Sequence, residues 1–226
     1  MKGAMVFSLG GSLIYPKEID VDYLKKFRKL ILDGVSAGKR FGIVCGGGSI
    51  CRYYMEKGKE IRTLENEEVD RIGIGVTRAN AWFVRELFGS IAHEEVIIDY
   101  SKDLQTDKSI VIGAGWKPGC STDKDAVLLA EKYNADTVVN LTNVDYVYDK
   151  DPRKFDDAKP FEKMTWSDFK GIVGGKWKAG MNLPFDPVAA QLAEELSMKV
   201  VIINGNEIAN LKKFLSGEAF KGTVIQ

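Results

Sequence analysis

Apolar residues along the chain form short continuous runs separated by longer segments of helical periodicity. Runs of this kind, with no polar alternation, are typical of strands whose two faces are both covered. One helical segment shows its spacing clearly, since Tyr23, Leu24, Phe27, Leu30 and Ile31 recur on one face. The predicted strands are residues 3–9, 40–45, 95–99, 109–114, 135–141, 199–203 and 222–226.

The alternation of strands and helices predicts an α/β fold: a three-layer α/β/α sandwich around a mainly parallel central sheet. We expect one domain spanning residues 1–226. Asp186 and Pro187 have the residue types of a helix cap and a first helical residue. The predicted helices are residues 23–31, 49–61, 67–88, 122–133, 186–196 and 207–215.

Two stretches lack periodicity, residues 148–160 and the glycine-rich residues 171–182. We interpret both as loops within the domain, because apolar elements resume after each. On the helix of residues 67–88, Trp82 and Phe83 have the spacing of core or subunit-interface residues. Arg78 on the same helix is either a catalytic-site or an interface residue.

Composition narrows the function. The chain has 226 residues with 32 basic and 32 acidic side chains, so we expect neither nucleic acid nor a membrane as partner. No apolar run reaches the roughly 18–20 residues that span a bilayer, and we expect a cytoplasmic protein. Three cysteines without CxxC spacing and one histidine, His93, argue against a zinc site and against triad chemistry.

Two glycine-rich turns follow predicted strands, Gly10-Gly11-Ser12 and Gly46-Gly47-Gly48-Ser49. Ligands of open parallel sheets bind beyond the carboxyl ends of the strands. Glycines let backbone N–H groups converge on an anion, and the helix that follows adds a partial positive charge. Two such turns suit two phosphate groups; the alternative is a pair of tight turns without a ligand.

Two further loops follow strands. Residues 113–126 contain Thr122 and Asp125, spaced as a capping box, and Asp123, which could hold a cation or hydrated magnesium or be a plain first-turn acid. Residues 141–152 offer side chains that suit an adenine nucleotide, although they are also ordinary turn residues. These are Thr142, Asn143, Tyr148 and Asp151.

Taken together, the segments "SLGGS", "VCGGGSICRYY", "VDRIGIGVTRANAW", "GAGWKPGCSTDKDAVLLAE", "NLTNVDYVYDKDP" and "FDPVAAQLAEELSMKVVIING" resemble the amino acid kinase superfamily, and within it the archaeal-type uridylate kinases. The resemblance implies the three-layer fold, ATP-dependent phosphorylation of UMP to UDP with magnesium, and a homohexamer.

The resemblance also implies roles for individual residues, with no protein metal ligand among them. Asp123, Arg52 and Lys117 would be catalytic. The ATP side would be formed by Gly10, Gly11, Ser12, Gly48, Arg52, Thr142, Asn143, Tyr148 and Asp151. The UMP side would be formed by Gly47, Asp70, Trp116, Lys117, Pro118, Gly119, Cys120, Ser121 and Thr122.

The chain departs from the superfamily pattern at Ser8, where many members carry lysine, and at Trp116, Lys117 and Cys120 in the acceptor loop. Lys117 is our candidate for the missing positive charge. UMP is mostly a dianion at neutral pH, so phosphoryl transfer to its phosphate needs no general base. Two alternatives stay open: another phosphotransferase of the superfamily, and a non-catalytic nucleotide-binding or storage protein.

Overall fold

A computed structural model describes residues 3–152, 154–173 and 184–226. Its main feature is a seven-stranded sheet of order β3-β2-β1-β4-β8-β9-β7, accompanied by a two-stranded sheet of β5 and β6. The strands are β1 (Ala4–Leu9), β2 (Arg40–Cys45), β3 (Ile110–Gly113), β4 (Thr137–Thr142), β5 (Val147–Tyr148), β6 (Pro160–Phe161), β7 (Lys163–Met164), β8 (Lys199–Asn204) and β9 (Thr223–Ile225).

The five longest neighbours in the sheet, β3, β2, β1, β4 and β8, are all parallel. Only β9 runs antiparallel to β8, and it pairs in parallel with β7. The chain builds the sheet outward from β1 in one direction and then crosses to the other side with β4. Strand β1 therefore marks the point where strand order reverses, and in parallel sheets ligands bind at such a point.

Helices cover both faces of the sheet. One buried cluster packs Phe7 and Leu9 of β1 against α2, α4 and α8, and a second packs Val6 against α5, α6 and α7. The helices are α1 (Gly11–Ile14), α2 (Val21–Ser36), α3 (Gly48–Ile61), α4 (Asn66–Phe88), α5 (Thr122–Lys132), α6 (Trp166–Val173), α7 (Pro187–Glu195) and α8 (Ile208–Ser216).

The predicted three-layer α/β/α architecture and mainly parallel sheet are confirmed. The strand predicted at residues 95–99 is wrong, because this segment makes only one isolated bridge, from Ile97 to Gly113. Residues 148–160 are not wholly irregular, since their ends belong to β5 and β6. Helix α6 was not predicted, and residues 171–173 of the predicted loop belong to it; the rest of that loop, residues 174–182, lies outside the described residues. Asp186 caps α7 and Pro187 begins it, as predicted.

No helix in the described part of the chain is both long enough and apolar enough to cross a bilayer.

Candidate active site at the carboxyl edge of the sheet

Four loops meet at one edge of the sheet because the strands before them are parallel. They follow Leu9 of β1, Cys45 of β2, Gly113 of β3 and Thr142 of β4. These are the same four loops that the sequence marks as candidates, so the fold brings all four to one place.

The two glycine turns touch each other through their backbones. A Cβ atom on Gly11 would overlap the backbone of Gly46, Gly47 and Gly48, and a Cβ on Gly48 would overlap the backbone of Gly11. Gly48 also has a φ of +73°, a conformation that side-chain-bearing residues rarely adopt. The glycines are therefore required by the close approach of the two turns, whatever else they bind.

The loop after β3 is held by helix α4. The Thr77 hydroxyl accepts a hydrogen bond from Gly115 N (2.9 Å). The Arg78 guanidinium donates from Nε to Gly115 O (3.3 Å) and from Nη2 to Trp116 O (2.9 Å). The backbone at the start of this loop is thus fixed to one turn of α4.

Asp70, nearly two turns earlier on α4, also reaches this loop. Its Oδ2 accepts a hydrogen bond from Gly119 N (2.9 Å), which leaves Oδ1 available to a ligand hydroxyl. The structure therefore brings Asp70 to the residues that the resemblance assigns to the UMP side.

Aromatic contacts shape the same loop. The Trp116 ring meets Tyr100 edge to face, with centroids 6.0 Å apart, and the Tyr100 hydroxyl donates to Ala114 O. The Lys117 ammonium lies 3.9 Å from the Trp116 ring centroid. A cation over an aromatic face is held only weakly at an exposed site. This contact therefore leaves the exposed Lys117 side chain able to adopt another rotamer.

Asp123 lies in the first turn of α5, the helix that follows this loop, and takes part in a small polar network. Its Oδ1 accepts from the Ser8 hydroxyl (2.9 Å) and its Oδ2 accepts from Asp186 N (3.1 Å). Ser121 in turn donates from its hydroxyl to Asp186. Burial raises the pKa of Asp123 to about 6, in spite of the two hydrogen bonds that favour its charged form. The residue at position 8, a serine in this chain, thus contacts Asp123 directly.

The capping box predicted from Thr122 and Asp125 is wrong. Ser121 is the cap, accepting from Lys124 N through its hydroxyl, and Thr122 is the first helical residue. Asp125 instead turns back and accepts from Trp116 N at 3.2 Å. Its Oδ1 has no partner within the described residues, and burial raises the pKa of its carboxyl to about 7.

The loop after β4 presents the residues assigned to ATP. Thr142 and Tyr148 are half-buried and Asn143 is exposed. Below them, Asn204 of β8 donates from its side-chain amide to Asp145 Oδ1 (2.8 Å), which ties this loop to the neighbouring strand. Asp151 follows Tyr148 closely, and its carbonyl accepts from Lys154 N.

Two site residues, Thr77 and Asn80, were not predicted as such, and for Arg78 the sequence left a catalytic-site and an interface role open. Asn80 donates from its side-chain amide to Gly46 O (2.8 Å) and Gly47 O (3.3 Å), while Thr77 and Arg78 hold the next loop. Polar residues interspersed among the apolar residues of the middle of α4 are the signal that marks them. Arg52 is exposed on α3, the helix that the second glycine turn begins.

An apolar groove runs along α4 and is bordered by residues of α1 and α3. It has a volume of about 560 Å³. Phe83 packs partly against the core, whereas Trp82 is 41% exposed. The groove is lined by Ile14, Tyr15, Ile19, Ile50, Tyr54, Ile72, Gly75, Val76, Ala79, Asn80 and Phe83.

Two touching glycine turns and the N-termini of α3 and α5 follow strands at one edge of the sheet, an arrangement that suits a phosphotransferase. Residues 4–204 match the amino acid kinase family, and the chain belongs to that family.

Its relatives carry a more particular name. The chain is 35% identical to a uridylate kinase of Thermoplasma volcanium over 100% of this chain and 99% of the relative, and 36% identical to one of Methanobrevibacter smithii over 98% of both. The crystal structure of the Archaeoglobus fulgidus uridylate kinase superposes with a TM-score of 0.83 at 32% identity, covering 98% of this chain and 99% of the other. A UMP kinase structure from Bacillus anthracis, at 23% identity and a TM-score of 0.79, shares the fold.

Proposed function

We propose that this chain phosphorylates UMP to UDP with ATP as donor. The observation that carries the proposal is the contact between the two glycine turns at the point where strand order reverses, because it sets two phosphate-binding backbones side by side. The names of the relatives agree with this assignment.

The chemistry is a direct in-line transfer. An oxygen of the UMP phosphate attacks the γ-phosphorus of ATP, an O–P bond forms, and the bond from that phosphorus to the bridging oxygen of ADP breaks. The attacking oxygen is already charged, so no proton has to be removed from it. The one histidine of the chain, His93, lies away from the four loops. Its backbone N–H donates to Ile110 O at the amino end of β3, the end opposite those loops.

The residues divide into a donor and an acceptor side, both as proposals. Lys117 and Arg52 would neutralise charge on the moving phosphoryl group, and Asp123 would orient the groups around it. The donor side is Gly10, Gly11, Ser12, Gly48, Arg52, Thr142, Asn143, Tyr148 and Asp151. The acceptor side is Gly47, Asp70, Trp116, Lys117, Pro118, Gly119, Cys120, Ser121 and Thr122.

Magnesium fits this donor set as an ion carried by ATP. Mg²⁺ usually keeps several waters and is held by substrate phosphates with one or two carboxylates. Among the described residues no group of three or more potential ligands forms a ready cage, and the Asp123 carboxylate contacts Ser8, two residues before the first glycine turn. When bound, the ion would screen the negative charge that the two nucleotides bring together.

An acceptor panel tests the proposed function. The chain is incubated with ATP, magnesium and, separately, UMP, CMP, AMP and N-acetylglutamate, and ADP release is measured. We expect turnover with UMP above all others. Turnover with N-acetylglutamate alone would assign the chain to another phosphotransferase of the family, and ATP binding without any turnover would point to a storage protein.

We also propose a homohexameric assembly of single-domain chains in the cytoplasm. The apolar groove beside α4 supports self-association, since exposed apolar surface is a natural subunit contact. Strands from both ends of the chain, β1 and β9, belong to one sheet, which supports a single domain. Three free cysteines suit a reducing compartment.

A further inference from the structure

Helix α4 contacts the second glycine turn and the loop after β3 through two side chains that are two residues apart in the sequence. Asn80 donates to the carbonyls of the second glycine turn, and Arg78 donates to the carbonyls of the loop after β3. Successive helical residues are about 100° apart around the axis, so Arg78 and Asn80 lie on either side of Thr77, which holds Gly115 N between them.

The carbonyls that these side chains hold determine where the next N–H groups point. In a planar trans peptide the C=O of one residue and the N–H of the following residue point in opposite directions. With Gly46 O and Gly47 O turned to Asn80, the N–H groups of Gly47 and Gly48 point away from α4. Within the described residues, neither N–H has a backbone acceptor.

The same geometry applies to the second loop. With Gly115 O turned to Arg78, the N–H of Trp116 points the other way, where it meets Asp125 Oδ2. With Trp116 O also turned to Arg78, the N–H of Lys117 is directed away from α4 and has no acceptor in the described part of the chain. Arg78 thus leaves one amide of the loop satisfied and one available.

We propose that Asn80 and Arg78 are positioning residues that aim the amides of Gly47, Gly48 and Lys117 at the substrate phosphates. Neither side chain needs to touch a substrate, because each acts through a carbonyl. This inference rests on the proposed function for the identity of the substrates. It assigns Arg78 to the acceptor loop alone and Asn80 to the glycine turn that serves both sides.

The two residues should therefore fail differently, and binding measurements separate them. The variants are Arg78→Gln and Asn80→Asp, the second being isosteric but presenting an acceptor to the two carbonyls. Matched controls on the same helix are Arg71→Gln and Asn66→Asp, both at exposed positions. Kd values for UMP and for a non-hydrolysable ATP analogue are measured by calorimetry, and kcat and KM for both substrates by the coupled assay.

We expect Arg78→Gln to weaken UMP about tenfold while the ATP analogue stays within about twofold, since a hydrogen bond to a charged group is lost on one side only. Asn80→Asp should weaken both ligands, and the controls should change neither. Arg78→Lys, which keeps the charge but spans one carbonyl instead of two, should fall between wild type and Arg78→Gln.

Several results would overturn the inference: Arg78→Gln binding UMP as wild type does, Arg78→Gln weakening both ligands equally, or Asn80→Asp behaving like its control. A folded Arg78→Lys variant decides the matter if Arg78→Gln does not fold. If the wild type uses a different acceptor, the proposed function fails, and the same comparison with that acceptor tests the inference independently.

Discussion

Gly11 and Gly48 illustrate how single residues determine this site, because their backbones touch where a Cβ on either would overlap the other turn. The sequence predicts the glycine runs as phosphate loops, which stays a prediction, yet it could not reveal that the turns pack against each other. That contact depends on the pairing of β1 with β2, a long-range feature. Likewise, Thr122 and Asp125 have capping-box spacing, but Asp125 finds Trp116 N instead.

Replacement of Gly11 by alanine should destabilise the fold. The added methyl meets backbone atoms, which cannot rotate away, so we expect a loss of about 1–3 kcal/mol in the free energy of unfolding. Urea denaturation measures it. Gly75→Ala is the control, because a Cβ there meets nothing within 4 Å and alanine favours the helix. Equal stability of Gly11→Ala and wild type would contradict the packing argument.

Asp125 should make the stability of the fold depend on pH. Burial raises its folded-state pKa to about 7, above the ordinary value of 3.8, so its contribution to stability is complete below about pH 4 and is lost as the pH rises through 7. Relative to wild type, Asp125→Asn should therefore gain roughly 1–3 kcal/mol between pH 5 and pH 8.

Denaturation at the two pH values measures this difference. The exposed Asp107→Asn serves as control and should shift stability by the same amount at both. A pH-independent effect of Asp125→Asn would show that the buried carboxyl titrates normally.

Among the secondary-structure elements, those with long apolar patterns were predicted well. Continuous apolar runs identify β1, β2, β4 and β8 from the local sequence alone. Helical periodicity does the same for α2 and α4. The segment at 95–99 is apolar but pairs only through Ile97, since β3 already ends near it. Strands β5, β6 and β7 have two residues each, too few for any pattern. Helix α4 was recognised as a helix, whereas its role in holding two loops emerges only from tertiary contacts.

Asp186, the residue that caps α7, also contacts the candidate active site. Asp186 accepts from Val188 N through its side chain, and its own N–H donates to Asp123. We expect Asp186→Ala to lower the free energy of unfolding by about 1 kcal/mol and to reduce turnover, since the Ser121 hydroxyl loses its acceptor.

Urea denaturation and the coupled assay measure both effects. Glu207 occupies the cap position of α8 without a side-chain hydrogen bond, so Glu207→Ala should change neither quantity. An Asp186→Ala variant that matches Glu207→Ala in both would remove Asp186 from the account.

At the scale of the whole molecule, the fold places the two glycine turns on one edge of the sheet and an apolar groove along α4. The order of strands explains the first, because β1 borders both β2 and β4. The sequence marks Trp82 and Phe83 of α4 as core or interface residues, but it could not reveal the groove, because apolar positions on a helix follow the same pattern whether or not another element covers them.

Placing a charge in the groove should break the proposed assembly. Val76→Asp, and separately Tyr54→Asp, should shift the mass in light scattering from six chains toward one or two. Ile61→Asp changes a residue that is 85% exposed and does not line the groove, so its mass should equal that of wild type. A full assembly of both groove variants would place the interface elsewhere.

The central claim is that adjacent backbone turns hold the phosphates of two nucleotides for direct transfer. A crystal structure with UMP and a non-hydrolysable ATP analogue tests it most directly. We expect the donor phosphates against the amides of Gly10 to Ser12 and the UMP phosphate against those of Gly47 and Gly48, with the attacking oxygen in line with the γ-phosphorus. Nucleotides bound away from either glycine turn would contradict the claim.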